Sequence, residues 1–165
     1  MVGPGNNNRG GGYGGYQDGR RRDFSQRPAE PPVQTAQPMR LPEDFADAAE
    51  AVIKSLRYEN RYGNTVIDIT NTKIRRLFSL IIPVFNKERL RSDEKLTPES
   101  RQTLMMARVR MAYEAGRDGS VKDFIAKAKL MEYVKGVGDD TEEFIRFAHY
   151  MEALVAWHRY YGDKD

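Results

Sequence analysis

The sequence is poor in the side chains that most often hold metals or attack substrates. It contains no cysteine and only two histidines in 165 residues. The absence of cysteine excludes disulfides, thiolate nucleophiles and cysteine-based zinc sites. His149 and His158 are nine residues apart, about 180° around a helix, so they cannot share a metal ion from one helix. We therefore expect neither a metal site nor a bound cofactor.

Long apolar segments and familiar catalytic motifs are also missing. No stretch approaches the roughly 18 consecutive apolar residues of a membrane-spanning helix, and the first residues lack the apolar region of a signal peptide. Neither Gly-x-Ser-x-Gly nor the phosphate-binding Gly-x-x-x-x-Gly-Lys pattern occurs, and the two glycines within residues 135–139 indicate only a connection between helices. We expect a cytoplasmic protein that is not an enzyme and does not contact a membrane.

Residues 1–40 differ in composition from the rest of the chain. They consist mainly of Gly, Asn, Arg, Gln and Pro, so they bury too little apolar surface to offset their ordering entropy, which predicts a disordered tail. Tyr13, Tyr16 and the arginines at 20–22 lie among glycines, a composition typical of flexible segments that contact RNA. A solvated tail with no specific role is an equally open interpretation. The folded domain is expected over residues 41–165.

From residue 41 onward, apolar residues recur with helical periodicity. Thr97 and Asp140 are capping residues at two helix starts, and Gly162 marks the end of the last helix. The β-branched run at 65–69 lies in a polar connection and has no partner run nearby. The pattern predicts an all-α domain, a compact bundle of about five helices over residues 43–56, 72–87, 98–116, 120–135 and 140–161. Pro83 predicts a kink or an early end in the second helix.

Positive charge is concentrated in the middle of the chain. Residues 71–117 carry eleven Lys and Arg against five Asp and Glu, a net charge of +6, whereas residues 41–70 and 118–165 each have a net charge of −3. A basic surface of this kind attracts phosphates, which favours RNA binding. The residues predicted to bind RNA are Lys73, Arg75, Arg76, Arg108, Arg110 and Arg117. An open alternative is that the arginines of the third helix pair with Glu99, Glu114 or Asp118 on neighbouring turns.

The last predicted helix is apolar on nearly every side. One side carries the stripe of Phe144, Met151 and Val155, in line with His158, which we expect to be a hydrogen-bonded core histidine. The other side carries aromatic residues that we predict to form a subunit interface: Tyr150, Trp157 and Tyr160. Such a helix is either central in its bundle or shared with a partner, and the sequence leaves both interpretations open.

Three segments carry a resemblance to a known family. They are residues 73–78 (KIRRLF), 112–117 (AYEAGR) and 144–162 (FIRFAHYMEALVAWHRYYG). In this order they resemble the small subunit of type III-A CRISPR effector complexes, and the resemblance covers about residues 43–162. The last segment is the most specific. It combines aromatic residues with a Glu-Ala pair and a His-x-x-Tyr-Gly motif, and this combination rarely occurs by chance.

The resemblance implies a small helical protein without a nuclease centre of its own. Copies of the family's subunit stack along a ribonucleoprotein filament beside other subunits and help to accommodate the duplex of guide RNA and target RNA. The family's arginine on the second helix corresponds to Arg75, with Arg76 beside it, and its Gly-Arg helix end corresponds to residues 116–117. Two alternatives stay open at this stage: a helical adaptor that binds an acidic protein surface, and an independent RNA chaperone that acts through the tail.

Overall fold

The computed structural model describes residues 35–162, together with Met1 and Gly3. Most of the predicted tail, residues 2 and 4–34, lies outside the described part. Residues 35–162 contain seven α-helices and one two-stranded antiparallel sheet, so the all-α prediction is confirmed. The elements are α1 (Phe45–Leu56), β1 (Tyr58–Glu59), β2 (Thr65–Val66), α2 (Asn71–Ser79), α3 (Ile82–Glu88), α4 (Pro98–Arg117), α5 (Gly119–Lys127), α6 (Leu130–Val137) and α7 (Thr141–Tyr161).

Helix α7 is the central element, and α1, α2, α3 and α6 all pack against it. Its starting residue is fixed by Asp140, whose carboxylate accepts a hydrogen bond from the Glu143 N–H at 3.0 Å. Large side chains on several sides of the helix are fully buried, including Phe144, Phe147, Met151 and Leu154. Each such burial stabilises the fold by about 1.5–3 kcal/mol. Of the two interpretations of this helix, central burial therefore holds for most of its length.

Tyr150 belongs to this core and not to an exposed aromatic face. Its side chain is 1% exposed, its ring meets Tyr133 edge-on at 5.5 Å, and its hydroxyl donates to the Ala128 carbonyl at 3.0 Å. Burial raises the pKa of the Tyr150 hydroxyl above its ordinary value. A partner subunit cannot reach this ring, because α6 and the Ala128 turn cover it.

His158 is a buried core residue, as expected. Its Nε2 lies 2.7 Å from the Ile69 carbonyl oxygen and its Nδ1 lies 3.3 Å from the Asn71 amide nitrogen. The carbonyl can only accept, so Nε2 carries the proton, and Nδ1 accepts from the Asn71 amide. The histidine thus connects the end of α7 to the start of α2. This contact fixes the orientation of α2, and therefore the position of its outer face.

Two of the five predicted helices are each divided in two. The second breaks at Leu80 and Ile81, where α2 ends and α3 starts, and Pro83 lies in the first turn of α3, where its missing N–H costs nothing. The early end that Pro83 predicted is confirmed. The fourth breaks before α6 at Lys129, which adopts a left-handed conformation with φ of 51°. The sequence gives no sign of this break, because Lys is not a residue that favours that conformation.

A short hairpin occupies part of the predicted polar connection. Strands β1 and β2 pair in antiparallel register, with Tyr58 opposite Val66. The Asn60 side chain accepts from the backbone of Tyr62 and Asn64, and Gly63 supplies the positive φ of 78° that the turn requires. The expectation that no strand would form here was wrong, since these local turn bonds bring together two segments that each show little strand pattern.

The segment from Thr35 to Leu41, named here the strap, runs along α6 and reaches α7. The Met39 N–H donates to the Glu132 carbonyl at 3.1 Å, and the Leu41 N–H donates to the buried Glu143 carboxylate at 2.8 Å. Gly136 permits the close passage, because a Cβ there would overlap the Met39 carbonyl. The expected domain boundary at residue 40 thus falls within a segment that contacts two helices.

Glu88, at the end of α3, anchors the start of α4. Its carboxylate is fully buried and accepts hydrogen bonds from the Thr97 hydroxyl at 3.0 Å, from the Ser100 hydroxyl and from the Arg91 guanidinium. Burial alone raises the pKa of Glu88, but the bonds from Ser100, Arg91 and Thr97 outweigh it and lower the pKa below 4.5. Thr97 also caps α4, so the capping prediction is confirmed.

We predict that Glu88→Ala lowers the free energy of unfolding by about 3 kcal/mol at pH 7. The substitution removes the buried carboxylate that accepts hydrogen bonds from Arg91, Thr97 and Ser100, so these groups lose their acceptor. The matched control is Glu99→Ala, which removes an exposed ion pair with Lys87 at 2.5 Å and should cost less than about 1 kcal/mol. Urea unfolding followed by circular dichroism measures both.

The depressed pKa of Glu88 gives the direction of the pH dependence. Its stabilising contribution is fully present above the ordinary value of 4.5 and is lost as the pH falls through the lower folded value. Wild type and Glu88→Gln should therefore converge in stability as the pH falls below that value. Equal stability of the two at pH 7 would contradict the role assigned to this carboxylate.

Candidate nucleic-acid interface

Helix α2 presents the first group of predicted RNA-binding residues. Thr70 caps the helix by accepting from the Lys73 N–H at 3.3 Å, and Ile74 and Leu77 bury its inner side. Lys73, Arg75 and Arg76 consequently point away from the core in three different directions, because successive residues are about 100° apart. The surroundings of the three side chains therefore differ.

Lys73 is engaged in the fold. Its ammonium lies 2.6 Å from the Asp118 carboxylate and 3.2 Å from the Ser120 hydroxyl. Asp118 in turn caps α5 by accepting from the Ser120 N–H at 2.9 Å. The Lys73 ammonium, followed by the Ser120 hydroxyl, holds the pKa of Asp118 well below its usual range. Lys73 thus fastens α2 to the junction of α4 and α5, which leaves it less free than its neighbours to bind a phosphate.

Arg76 faces α4. Its guanidinium lies 3.8 Å from the Glu114 carboxylate and its side chain is 63% exposed. Just beyond the end of α2, Leu80 lines a shallow groove with Met106 and Arg110 of α4. Arg117 follows Arg110 by seven residues, so it lies on the same side of α4, and its guanidinium lies 5.4 Å from the centre of the exposed Tyr113 ring. We name Arg76, Arg110, Tyr113 and Arg117 the α2–α4 surface.

The acidic residues that were the alternative partners of these arginines pair with other basic side chains, and Glu114 does so from the same side of α4 as Arg110 and Arg117. Glu99 pairs with Lys87, Glu114 with Arg76, and Asp118 with Lys73, each across two helices. Within residues 35–162, no carboxylate lies within 4.0 Å of the α4 arginines Arg101, Arg108, Arg110 and Arg117. The alternative of ion pairs on neighbouring turns is therefore wrong for the arginines of this helix.

The predicted basic cluster does not form one surface. Arg108 is nine residues from Arg117, about 180° around α4, and it lines a different cavity with Arg101 and Lys135. Arg75 is two residues from Lys73, about 160° around α2. The structure brings Arg76, Arg110 and Arg117 together beside Lys73, and it separates Arg75 and Arg108 from them.

The outward side of α4 carries apolar residues that the sequence prediction missed. Between its two arginine flanks lie Met105, Met106, Val109 and Tyr113, which are 48–62% exposed. Leu104, Ala107 and Met111 bury the opposite side of the same helix. Because α4 has apolar residues on both sides, its periodicity did not reveal which side faces the core. An exposed apolar strip of this extent is typical of a contact surface.

The aromatic residues at the end of α7 form a cluster against α1. The Trp157 indole N–H donates to the Ala46 carbonyl at 3.1 Å, while the Tyr160 side chain is 74% exposed. Tyr161, which the prediction did not include, stacks on Trp157 at 5.7 Å and donates its hydroxyl to Glu50. Of the three predicted interface residues, Trp157 and Tyr160 thus lie at the surface together, and Tyr150 does not join them.

Comparison with known proteins places this helical domain in a family. The family model described as Csm2 Type III-A matches residues 44–164. The chain belongs to the Csm2 type III-A family. Its recognition from the sequence as a type III-A CRISPR small subunit is confirmed.

Three Csm2 relatives are similar over most of their length, and each bears the name "CRISPR system Cms protein Csm2". The relative from Streptococcus thermophilus is 37% identical over 123 residues, which cover 74% of this chain and 95% of the relative. That from Mycobacterium tuberculosis is 31% identical over 125 residues, covering 76% and 97%. That from Enterococcus italicus is 32% identical over 126 residues, covering 72% and 89%.

The match to the Csm2 model begins one residue before α1 and includes all seven helices. The α2–α4 surface and the aromatic cluster of α7 lie inside the matched region, whereas the strap lies before it. Within the described part of the chain, no three His, Asp or Glu side chains are grouped so that they could hold a metal ion. No described helix is both long enough and apolar enough to cross a membrane.

The contact between Lys73 and Asp118 gives a titration that can be measured. We predict that Lys73→Met raises the pKa of the Asp118 carboxyl toward its ordinary value of 3.8, because the neighbouring ammonium is removed. The stabilising contribution of this carboxylate is present above that ordinary value and is lost as the pH falls below it. Carboxyl chemical shifts in a pH titration by NMR report the change directly.

The matched control is Arg75→Met on the other side of α2, which should leave the Asp118 titration unchanged. If Lys73→Met also leaves the pKa of Asp118 where it is in the wild type, the assigned ion pair does not form in solution, and Lys73 becomes available for RNA.

Proposed function

We propose that this chain is a non-catalytic subunit of a type III-A CRISPR RNA-guided complex in the cytoplasm, and that its α2–α4 surface lies against the backbone of RNA. The observation that carries the proposal is the arrangement of Arg76, Arg110 and Arg117. They share one side of the domain, and neither Arg110 nor Arg117 has a carboxylate of residues 35–162 within 4.0 Å. Unpaired guanidinium groups at a surface are suited to phosphate oxygens.

The proposed contact is independent of RNA sequence. Phosphate contacts fix the position of a protein on a nucleic acid without reading its bases, and in RNA-guided complexes base pairing with the guide supplies the specificity. Tyr113 adds an exposed ring beside Arg117, which can stack on a base or a ribose of any sequence. The duplex of guide RNA and target RNA is the ligand we assign to this surface.

Contacts with protein are assigned to the aromatic end of α7. Tyr160 is largely exposed beside the half-buried Trp157, and aromatic residues of this kind are enriched at the centres of protein interfaces. We assign this cluster to other subunits of the complex, including further copies of the same chain along a filament.

A second candidate function is an adaptor that binds an acidic protein surface. The observation that favours it is the exposed apolar strip of α4, with Met105, Met106 and Val109 between two arginine flanks. An apolar strip with a basic rim fits a protein surface with an acidic rim. The dependence of RNA binding on salt separates this candidate from the RNA interface.

We predict that Arg110→Gln/Arg117→Gln weakens binding of the full chain to an RNA duplex of arbitrary sequence and flattens its salt dependence. The reason is that each lost phosphate contact lowers the slope of log K against log salt by about 0.7–0.9. Fluorescence anisotropy with labelled RNA over a salt series measures affinity and slope together.

The control variant is Arg61→Gln/Arg159→Gln, which removes two exposed arginines outside α2 and α4. It should leave the slope close to that of the wild type. If the two variants lose affinity equally, the RNA contact depends on overall charge and not on the α2–α4 surface. Salt-insensitive binding by the wild type would favour the adaptor.

A further inference from the structure

A second concave surface lies on the other flank of α4. The strap, α4 and α6 border a half-open cleft of about 290 Å³, which we name the α4–α6 pocket. This volume is just below the range of about 300–1,000 Å³ found for small-molecule sites. It therefore suits a ligand of roughly one nucleotide. The residues that line it are Pro38, Arg101, Leu104, Met105, Arg108, Val134, Lys135 and Gly138.

The charged side chains that line the pocket within residues 35–162 are all basic. Arg101, Arg108 and Lys135 all line it, and among residues 35–162 no acidic residue does. Arg101 and Arg108 are seven residues apart, so they lie on one side of α4 about 10 Å apart along its axis. The nearby Asp139 is paired with Lys95 at 3.2 Å. It also attracts Arg101 electrostatically, but it lies farther than 4.0 Å from both guanidinium groups. A phosphate entering the pocket thus meets two arginines that have no carboxylate of residues 35–162 within 4.0 Å.

The other half of the lining is apolar and held in place. Leu104 and Val134 are buried core residues, and Met105 and Pro38 extend the apolar wall toward solvent. The strap is fixed beside it, because the Lys135 ammonium donates to the Ala36 carbonyl at 2.6 Å and the Met39 N–H donates to Glu132. The pocket is therefore formed before any ligand arrives, which lowers the entropic cost of binding.

We propose that the α4–α6 pocket binds a single nucleotide unit, with the phosphate on Arg101 and Arg108 and the base against Met105 and Val134. An inorganic anion would use the arginines and leave the apolar wall in water, whereas a nucleoside would use the wall and leave the arginines without a partner. A nucleoside monophosphate satisfies both halves. The unit can be a free nucleotide or an unpaired nucleotide of an RNA strand, and neither source requires the α2–α4 surface.

The test is isothermal titration of the full chain with UMP and AMP, alongside inorganic phosphate and uridine. We expect each nucleotide to bind at least about tenfold more tightly than phosphate or uridine, because the charge-assisted contacts and the apolar contacts add. A 5′-phosphorylated RNA tetranucleotide that binds more tightly than UMP and displaces it would identify RNA as the source. UMP binding that the tetranucleotide leaves unchanged would identify the free nucleotide.

The variant Arg101→Gln/Arg108→Gln should abolish the preference for UMP over uridine, and Met105→Glu should abolish the preference for UMP over phosphate. Both alter exposed side chains, and circular dichroism checks that the fold persists. The control variant Arg61→Gln/Arg159→Gln should bind UMP as the wild type does.

Nucleotide binding no tighter than that of phosphate would overturn the proposal, and so would binding that survives the Arg101→Gln/Arg108→Gln change. Either result is distinguishable from failure of the proposed RNA interface, which is measured with a duplex and depends on Arg110 and Arg117.

Discussion

Burial of α7 is the constraint on which the other helices depend. A helix with large apolar side chains on several sides must be covered by several neighbours, and α1, α2, α3 and α6 all meet it. This requirement explains why two long helices are divided. Turns at Leu80 and Lys129 let short helices wrap around α7, where straight helices would leave part of it in water. The same burial removes Tyr150 from the surface and leaves the aromatic end of α7 exposed.

The position of α2 on α7 determines the electrostatics of the basic side. His158 and Asn71 join the two helices, and this places Lys73 against Asp118 and Arg76 opposite Glu114. Glu114 of α4 and Asp118 at its C-terminal end thus pair with α2, while Glu99 pairs with Lys87 of α3. The arginines of α4 therefore have no carboxylate of residues 35–162 within 4.0 Å. A surface suited to phosphate thus follows from helix packing as much as from an excess of arginine.

Much of the fold could be predicted from the sequence, because capping residues and apolar periodicity are local signals. Thr97 and Asp140 were recognised as caps, and Pro83 as the end of a helix, for reasons contained within one turn. The break at Lys129 could not be predicted, since a lysine in a left-handed conformation is stabilised only by the packing around it.

The sequence indicates which residues of the candidate site are basic, but not how the fold groups them. The 180° that separates Arg108 from Arg117 follows from helix geometry. Which flank faces α2 depends on which side of α4 is buried, and apolar residues on both sides concealed that choice. The pairing of Glu114 and Asp118 with α2 is a tertiary contact that no spacing along the chain could indicate.

The central claim is that RNA lies along the α2–α4 surface. The most direct measurement is photocrosslinking of the full chain to a guide and target duplex that contains 4-thiouridine, with the crosslinked residues identified by mass spectrometry. The account predicts crosslinks at Tyr113 and in the segments around Arg76 and Arg110. Crosslinks confined to residues 1–34, or to α1 and α5, would contradict it.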